Sequence, residues 1–184
     1  MLHGQHLPLA QGCCSEPARR RLAGCDARRK TQGKAGRLAW FCNAAARPPA
    51  AAGLHDAVDV DSAGTDGWHA GEAPDARATR HAARRGYDLV SLRARRVEVA
   101  DFERFDLVLA MDRDNLARLR ALCSPRRQSR LRLPMRFAPD AGSEVVPDPY
   151  YGGADGFEHV LDLIEQACHG LLEHVRAELD ARRG

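Results

Sequence analysis

The run FDLVLAMD, residues 105–112, constrains the fold more than any other segment. Its centre, Leu107 to Ala110, is apolar at every position, and charges bound it on both sides. A short strand of this kind needs cover on both faces, which a parallel sheet between helices supplies and a half-wet antiparallel sheet does not. The helical pattern DRDNLARLRALC follows at once. Strand and crossover helix therefore come in the order that an α/β fold requires.

The neighbouring segments repeat that order. AVDVD, residues 57–61, alternates apolar and acidic positions and reads as a short strand, and SAGTDGWHAGEAP supplies a Gly-rich loop after it. Asp75 is placed to cap a helix over DARATRHAARRG, which Gly86 ends. RLRLPMRF, residues 130–137, is a further strand candidate that Pro134 pushes toward an edge or a strand end. From Phe157 the apolar positions Val160, Leu161, Ile164, Ala167, Cys168, Leu171, Leu172, Val175 and Leu179 keep helical spacing. One stripe thus packs on a core, and Glu158, Glu165, Glu173 and Arg176 are expected to face water. The fold class is α/β with a parallel sheet covered on both faces, and ligands of such sheets bind beyond the carboxyl ends of the strands.

Texture changes near residue 55. Before it, small, basic and Pro/Gly positions follow one another with no period of 2 or 3.6. Residues 1–51 therefore read as an irregular, poorly ordered basic segment and residues 52–184 as the domain. Between residues 19 and 37, eight Lys and Arg side chains stand against the single acid Asp26. No aromatic is interleaved among them as a base-stacking platform requires, so a solvated tail is expected and a nucleic-acid partner is not. No apolar run approaches the roughly 20 residues of a membrane span, and His3, Gln5, His6 and Pro8 break any leader-like core, which points to the cytoplasm. The six cysteines show no metal-ligand spacing and are expected as free thiols.

Chemistry concentrates in VVPDPYYGG, residues 145–153. Asp148 lies between two prolines, whose rings stiffen the loop that holds its carboxyl group. A fixed carboxyl group beside aromatic rings suits a general acid that protonates a leaving oxygen next to an aromatic substrate. Taken alone, the same residues also describe a surface turn.

Read in order, DSAGT, WHAGEAPDARA, LAMDRDNL, DPYYGG and GFEHVLDLIEQACHGLLEHV resemble the low-molecular-weight protein-tyrosine phosphatases over roughly residues 52–176. The resemblance implies a three-layer fold with a four-stranded parallel sheet flanked by helices. It implies hydrolysis of phosphotyrosine proteins or aryl phosphates through a cysteinyl-phosphate intermediate, with no metal or other cofactor. Asp148 takes the place of the family's general acid, and Trp68 and Tyr150 that of the pocket rim flanking the substrate ring. The family's nucleophile opens a C-x5-R loop directly after the first strand. There, backbone N–H groups and a helix N-terminus hold the phosphate, an Arg clamps it, and their field lowers the thiol pKa.

That loop has no counterpart in this chain. Cys13 to Arg19 and Cys14 to Arg20 match C-x5-R, but Glu16 sets a carboxylate against the dianion, Pro17 removes a donor, and no glycine eases the turn. Cys13 with Arg19 is the fallback pair. Cys42 falls one residue short of the spacing to Arg47. The opening LHGQHLPLA offers another explanation. One permitted coding of it is CTG CAC GGG CAA CAT CTG CCG CTC GCC, and reading one nucleotide later gives CTGNICRSP, a complete phosphate loop of the family. A register shift that returns between about residues 40 and 52 is thus expected. It would also remove the strand that belongs in the middle of the sheet, and RLAWFC, residues 37–42, is the upstream segment apolar enough to replace it.

Three functional readings result. The first is a phosphotyrosine phosphatase by descent whose present N-terminus leaves it without a competent nucleophile. The second is a non-catalytic binder of phosphate or phosphopeptides. The third is a thioredoxin-coupled arsenate reductase, which needs relay cysteines, whereas Cys123 and Cys168 fall on helical segments.

Overall fold

A computed structural model of the chain describes residues 20–26, 57–149 and 153–181. Four parallel strands form one sheet in the order β2-β1-β3-β4, with β1 Arg20–Asp26, β2 Val58–Gly64, β3 Leu107–Ala110 and β4 Leu131–Arg132. Helices α1 Ala76–Arg84, α2 Asp101–Arg104, α3 Arg113–Leu122 and α4 Gly153–Ala181 accompany them. Among the described residues no helix is long and apolar enough to cross a membrane.

The apolar run at 105–112 behaves as its composition demands. Successive side chains of a strand point to opposite faces. Leu109 joins a core with Ala78 and Ala82 of α1 and with the stripe of α4. Val108 and Ala110 join a second core with Phe102 of α2 and Leu119 of α3. All three of these β3 residues are fully buried. The sheet is therefore the middle layer of three.

The central position belongs to β1, which differs from the sequence reading. β1 pairs with β2 from Arg20↔Val58 to Asp26↔Gly64 and with β3 from Leu22↔Leu107 to Cys25↔Ala110. The strand comes from RRLAGCD, inside the basic segment expected as a solvated tail, and not from RLAWFC, which lies outside the described residues. The physical reason is backbone demand. β2 and β3 lie on opposite sides of one gap, and a chain between them satisfies two rows of N–H and C=O groups at once.

Local signals fix the ends of the elements. Asp75 caps α1 by accepting from the N–H groups of Arg77 at 2.7 Å and Ala78 at 3.3 Å. Gly86, at φ +82°, supplies the left-handed turn that closes it. β4 is only two residues long, and the Pro134–Phe137 turn of 3-10 helix follows it, so Pro134 acts at the edge as expected.

Glu158 and Glu165 of α4 do not simply face water. The Arg85 guanidinium meets Glu158 at 2.6 Å, Asp162 at 2.8 Å and Glu165 at 3.1 Å. His81 Nδ1 lies 2.5 Å from Glu158 Oε1, and the Tyr87 hydroxyl donates to Glu165 at 3.0 Å. These bonds tie α1 and its C-terminal turn to α4 across the rim of their shared core. On the other side of α4, Gly170 allows close approach to the 134–137 turn. A Cβ at Gly170 would lie 1.9 Å from the Phe137 carbonyl oxygen.

Candidate active site

Asp148 is anchored from both directions at the carboxyl end of the sheet. Upstream, the fully buried Val146 donates its N–H to the carbonyl of Met111 at 2.9 Å, and Met111 is the first residue beyond β3. Downstream, Pro149 is buried under the start of α4, where a Cβ at Gly156 would stand 3.4 Å from the Pro149 carbonyl oxygen. Pro147 and Pro149 restrict the backbone between these anchors. The Asp148 side chain is half-buried on the wall of an open cleft of about 410 Å³. The other walls are residues 112–114, Glu144 and residues 145–147. Asp112 caps α3 by accepting from the Asn115 N–H at 2.7 Å, and Arg113 forms an exposed ion pair with Glu144.

The loop after β2 opens on the same end of the sheet. Gly64, its last strand residue, donates to the Arg95 carbonyl at 2.7 Å and accepts from the Val97 N–H at 2.8 Å. Arg95 in turn bridges Asp61 at 2.9 Å and Asp101 at 2.8 Å, which holds the 95–97 segment beside the strand. Beyond it, Gly71 donates to the Ala94 carbonyl at 2.7 Å at φ +82°, a backbone conformation open to glycine. Trp68 rides on this loop with 75% of its surface exposed. An indole so exposed is not a core residue, and it is available to a ligand ring.

Two further side chains stand where these loops leave the sheet. Thr65 directly follows β2 and is 6% exposed; Asn115 lies in the first turn of α3, after β3, and is 0% exposed. Neither the Thr65 hydroxyl nor either polar atom of the Asn115 amide has a hydrogen-bond partner among the described residues. Each such group costs about 1–3 kcal/mol when left unsatisfied in the interior. Both flank the end of β1, whose last pairs are Asp26↔Gly64 and Cys25↔Ala110.

The structure thus sets Asp148 and Trp68 at the same end of the sheet. Tyr150, Cys13 and Arg19 lie outside the described residues. Cys123 and Cys168 are buried in separate cores, and burial pushes the Cys123 thiol pKa up. Among the described residues no group of His, Cys, Asp and Glu is arranged to hold a metal. Sequence reasoning missed Thr65 and Asn115. A signal for the second existed, since Asn115, Leu119 and Cys123 repeat every four residues and all three are buried. An amide on a core-facing stripe calls for a partner.

The chain is similar to known proteins over most of its length. The family model of the low molecular weight phosphotyrosine protein phosphatases matches residues 43–181. A low molecular weight protein-tyrosine-phosphatase of Streptomyces coelicolor is 45% identical over 134 residues, which cover 71% of this chain and 81% of that protein. YfkJ of Bacillus subtilis, a low molecular weight protein-tyrosine-phosphatase, is 34% identical over 68% of this chain and 80% of its own length. Its crystal structure superposes with a TM-score of 0.77 at 30% identity, covering 88% of this chain and 97% of that one. A protein tyrosine phosphatase of Entamoeba histolytica, crystallised with Hepes in its active site, also gives 0.77 at 29% identity and covers 88% and 99%. With its parallel sheet, its proline-braced Asp148 and a family match over most of its length, this chain belongs to the low molecular weight phosphotyrosine protein phosphatases.

Proposed function

We propose that the carboxyl end of this sheet is built to hydrolyse phosphotyrosine with Asp148 as general acid, and that the chain with its present N-terminus is inactive for want of a phosphate loop. The observation that carries the reading is the double anchoring of Asp148, by Val146 to the end of β3 and by Pro149 beneath α4. A proton donor must be held within hydrogen-bond reach of the leaving oxygen before its pKa matters.

In the first step a thiolate attacks phosphorus, a sulfur–phosphorus bond forms, and the bond to the phenolic oxygen breaks while Asp148 donates its proton to that oxygen. In the second step Asp148, now a carboxylate, takes a proton from water as the water oxygen attacks phosphorus and releases the thiolate. Trp68 offers an exposed indole face at the same end for the substrate ring. Cys123 and Cys168 do not suit the first step, because both are buried within cores. The nucleophile and its Arg clamp have to come from a loop outside the described residues, where LHGQHLPLA lies. The Thr65 and Asn115 side chains, without hydrogen-bond partners among the described residues, support a polar loop docking between them at this end of the sheet.

The assay is hydrolysis of p-nitrophenyl phosphate. The present chain is expected at background rate. A chain with CTGNICRSP in place of LHGQHLPLA, read in one frame with the downstream domain, is expected to be active. Asp148→Ala in that restored chain should lower kcat by about 10²–10⁴-fold, the usual range for a positioned general acid. Equal activity of the present and restored chains would refute the account of the N-terminus. Full activity of the Asp148→Ala variant would refute the role of Asp148.

A further inference from the structure

At the opposite end of the sheet, away from Asp148, a pocket of about 420 Å³ opens between the start of β3, the surroundings of β4, the 134–137 turn and the last third of α4. Its volume falls within the range of small-molecule sites. Arg130, Arg132 and Arg136 line it together with Phe137 and His174. Elsewhere in the described structure, Arg77, Arg85, Arg95, Arg113, Arg118 and Arg127 each meet a carboxylate, whereas others, Arg80, Arg93 and Arg120 among them, meet none among the described residues. The three pocket arginines meet none among the described residues, although Asp106 and Glu178 stand on the same walls.

The guanidiniums are nonetheless held in place. Arg130 donates one N–H to the Phe105 carbonyl at 2.8 Å, and Arg132 donates one to the Leu131 carbonyl at 2.9 Å. A guanidinium carries five N–H donors in a fixed fork, so both retain donors for a ligand. Arg130 ends the 3-10 turn Pro125–Arg130, Arg132 ends β4, and both line the pocket. Arg136 enters from the 134–137 turn. Beside these cations the Phe137 and His174 rings lie 5.3 Å apart at 44°, an aromatic wall on α4 and the turn. The position of Phe137 is set by the close backbone approach at Gly170.

We propose that this pocket is a second site, distinct from the catalytic end, for a small phosphate-bearing ligand with a planar ring. Paired forks match phosphate geometry bidentately, whereas lysines would supply point charges only. The ring pair adds a face for the ligand's planar portion. Asp106 and Glu178 limit the net positive charge, which favours one phosphate group over a polyanionic strand.

Calorimetric titration at low salt with two probes, inorganic phosphate and phenyl phosphate, tests the site in the present chain. Saturable one-to-one binding is expected, tighter for phenyl phosphate. The double variant Arg132→Gln/Arg136→Gln should weaken both probes at least about tenfold, a loss of about 1.4 kcal/mol or more. His174→Ala should weaken phenyl phosphate alone. The thermal unfolding midpoint of each variant must match the parent, and Arg136→Gln by itself, at an exposed position, serves as the second variant if the pair disturbs folding. Absence of saturation, or unchanged affinity in the arginine variants, would overturn the proposal. So would loss of phenyl phosphate binding on Trp68→Ala with the arginine variants unaffected, because that pattern locates the ligand at the catalytic end.

Discussion

Asn115→Leu should change sign between two forms of this protein, and that reversal tests whether the site is missing a loop. The substitution keeps a side chain branched at Cγ and removes an amide at 0% exposure whose nitrogen and oxygen both lack partners among the described residues. The cap of α3 survives, because Asp112 accepts from the backbone N–H of residue 115 and not from its side chain. In the present chain the variant sheds the cost of one unsatisfied amide, about 1–3 kcal/mol, less some strain from the added bulk. At this chain length each kcal/mol moves the midpoint by about 2–4 °C. A rise of several degrees in Tm is expected, read by circular dichroism at matched concentration. In the chain with CTGNICRSP restored, the amide is expected to gain partners in the loop. The same substitution then leaves loop groups unpaired, should lower Tm by a similar amount, and should reduce p-nitrophenyl phosphate turnover. A shift of the same sign in both chains would refute the docking argument. The restored chain's own activity separately tests the enzyme assignment.

Two glycines of α4 should respond oppositely to alanine. Gly170→Ala drives a Cβ to 1.9 Å from the Phe137 carbonyl oxygen and should cost about 1–3 kcal/mol, whereas Gly156→Ala meets Pro149 at an ordinary 3.4 Å and should gain up to about 1 kcal/mol in helix propensity, both read by urea titration. Glu158→Gln should lower stability at neutral pH by about 1 kcal/mol and do little in acid. The hydrogen bonds from His81 and Arg85 hold the Glu158 pKa below the usual 4.5, so its contribution is present above that value and lost as pH falls through the folded one. Unchanged dependence of Tm on pH between 3 and 7 in that variant, roughly the window in which a carboxylate of this kind titrates, would rule this out. Asp75→Ala removes acceptors for two N–H groups of α1 and should cost about 1 kcal/mol, again by urea titration.

What the sequence discloses about this protein depends on whether the cause is local. The two-faced burial of β3 follows from the apolar run itself, since Val108 and Leu109 must find cover on opposite sides wherever they sit. Asp75 and Gly86 act within one turn of the helix they bound, and Asp148 carries its own bracing in the adjacent prolines. The placement of β1 has no local cause. RRLAGCD lacks an apolar or alternating pattern, and its place between β2 and β3 answers the hydrogen-bond demand of segments more than thirty residues away. Glu158 and Glu165 were legible as polar residues on a helix. Their partners Arg85, His81 and Tyr87 come from another element that no spacing rule connects to them. The carboxyl end of the sheet combines both cases. Asp148 is readable because one short stretch both supplies and constrains it, whereas Thr65 and Asn115 acquire meaning only when burial shows that neither has a partner among the described residues.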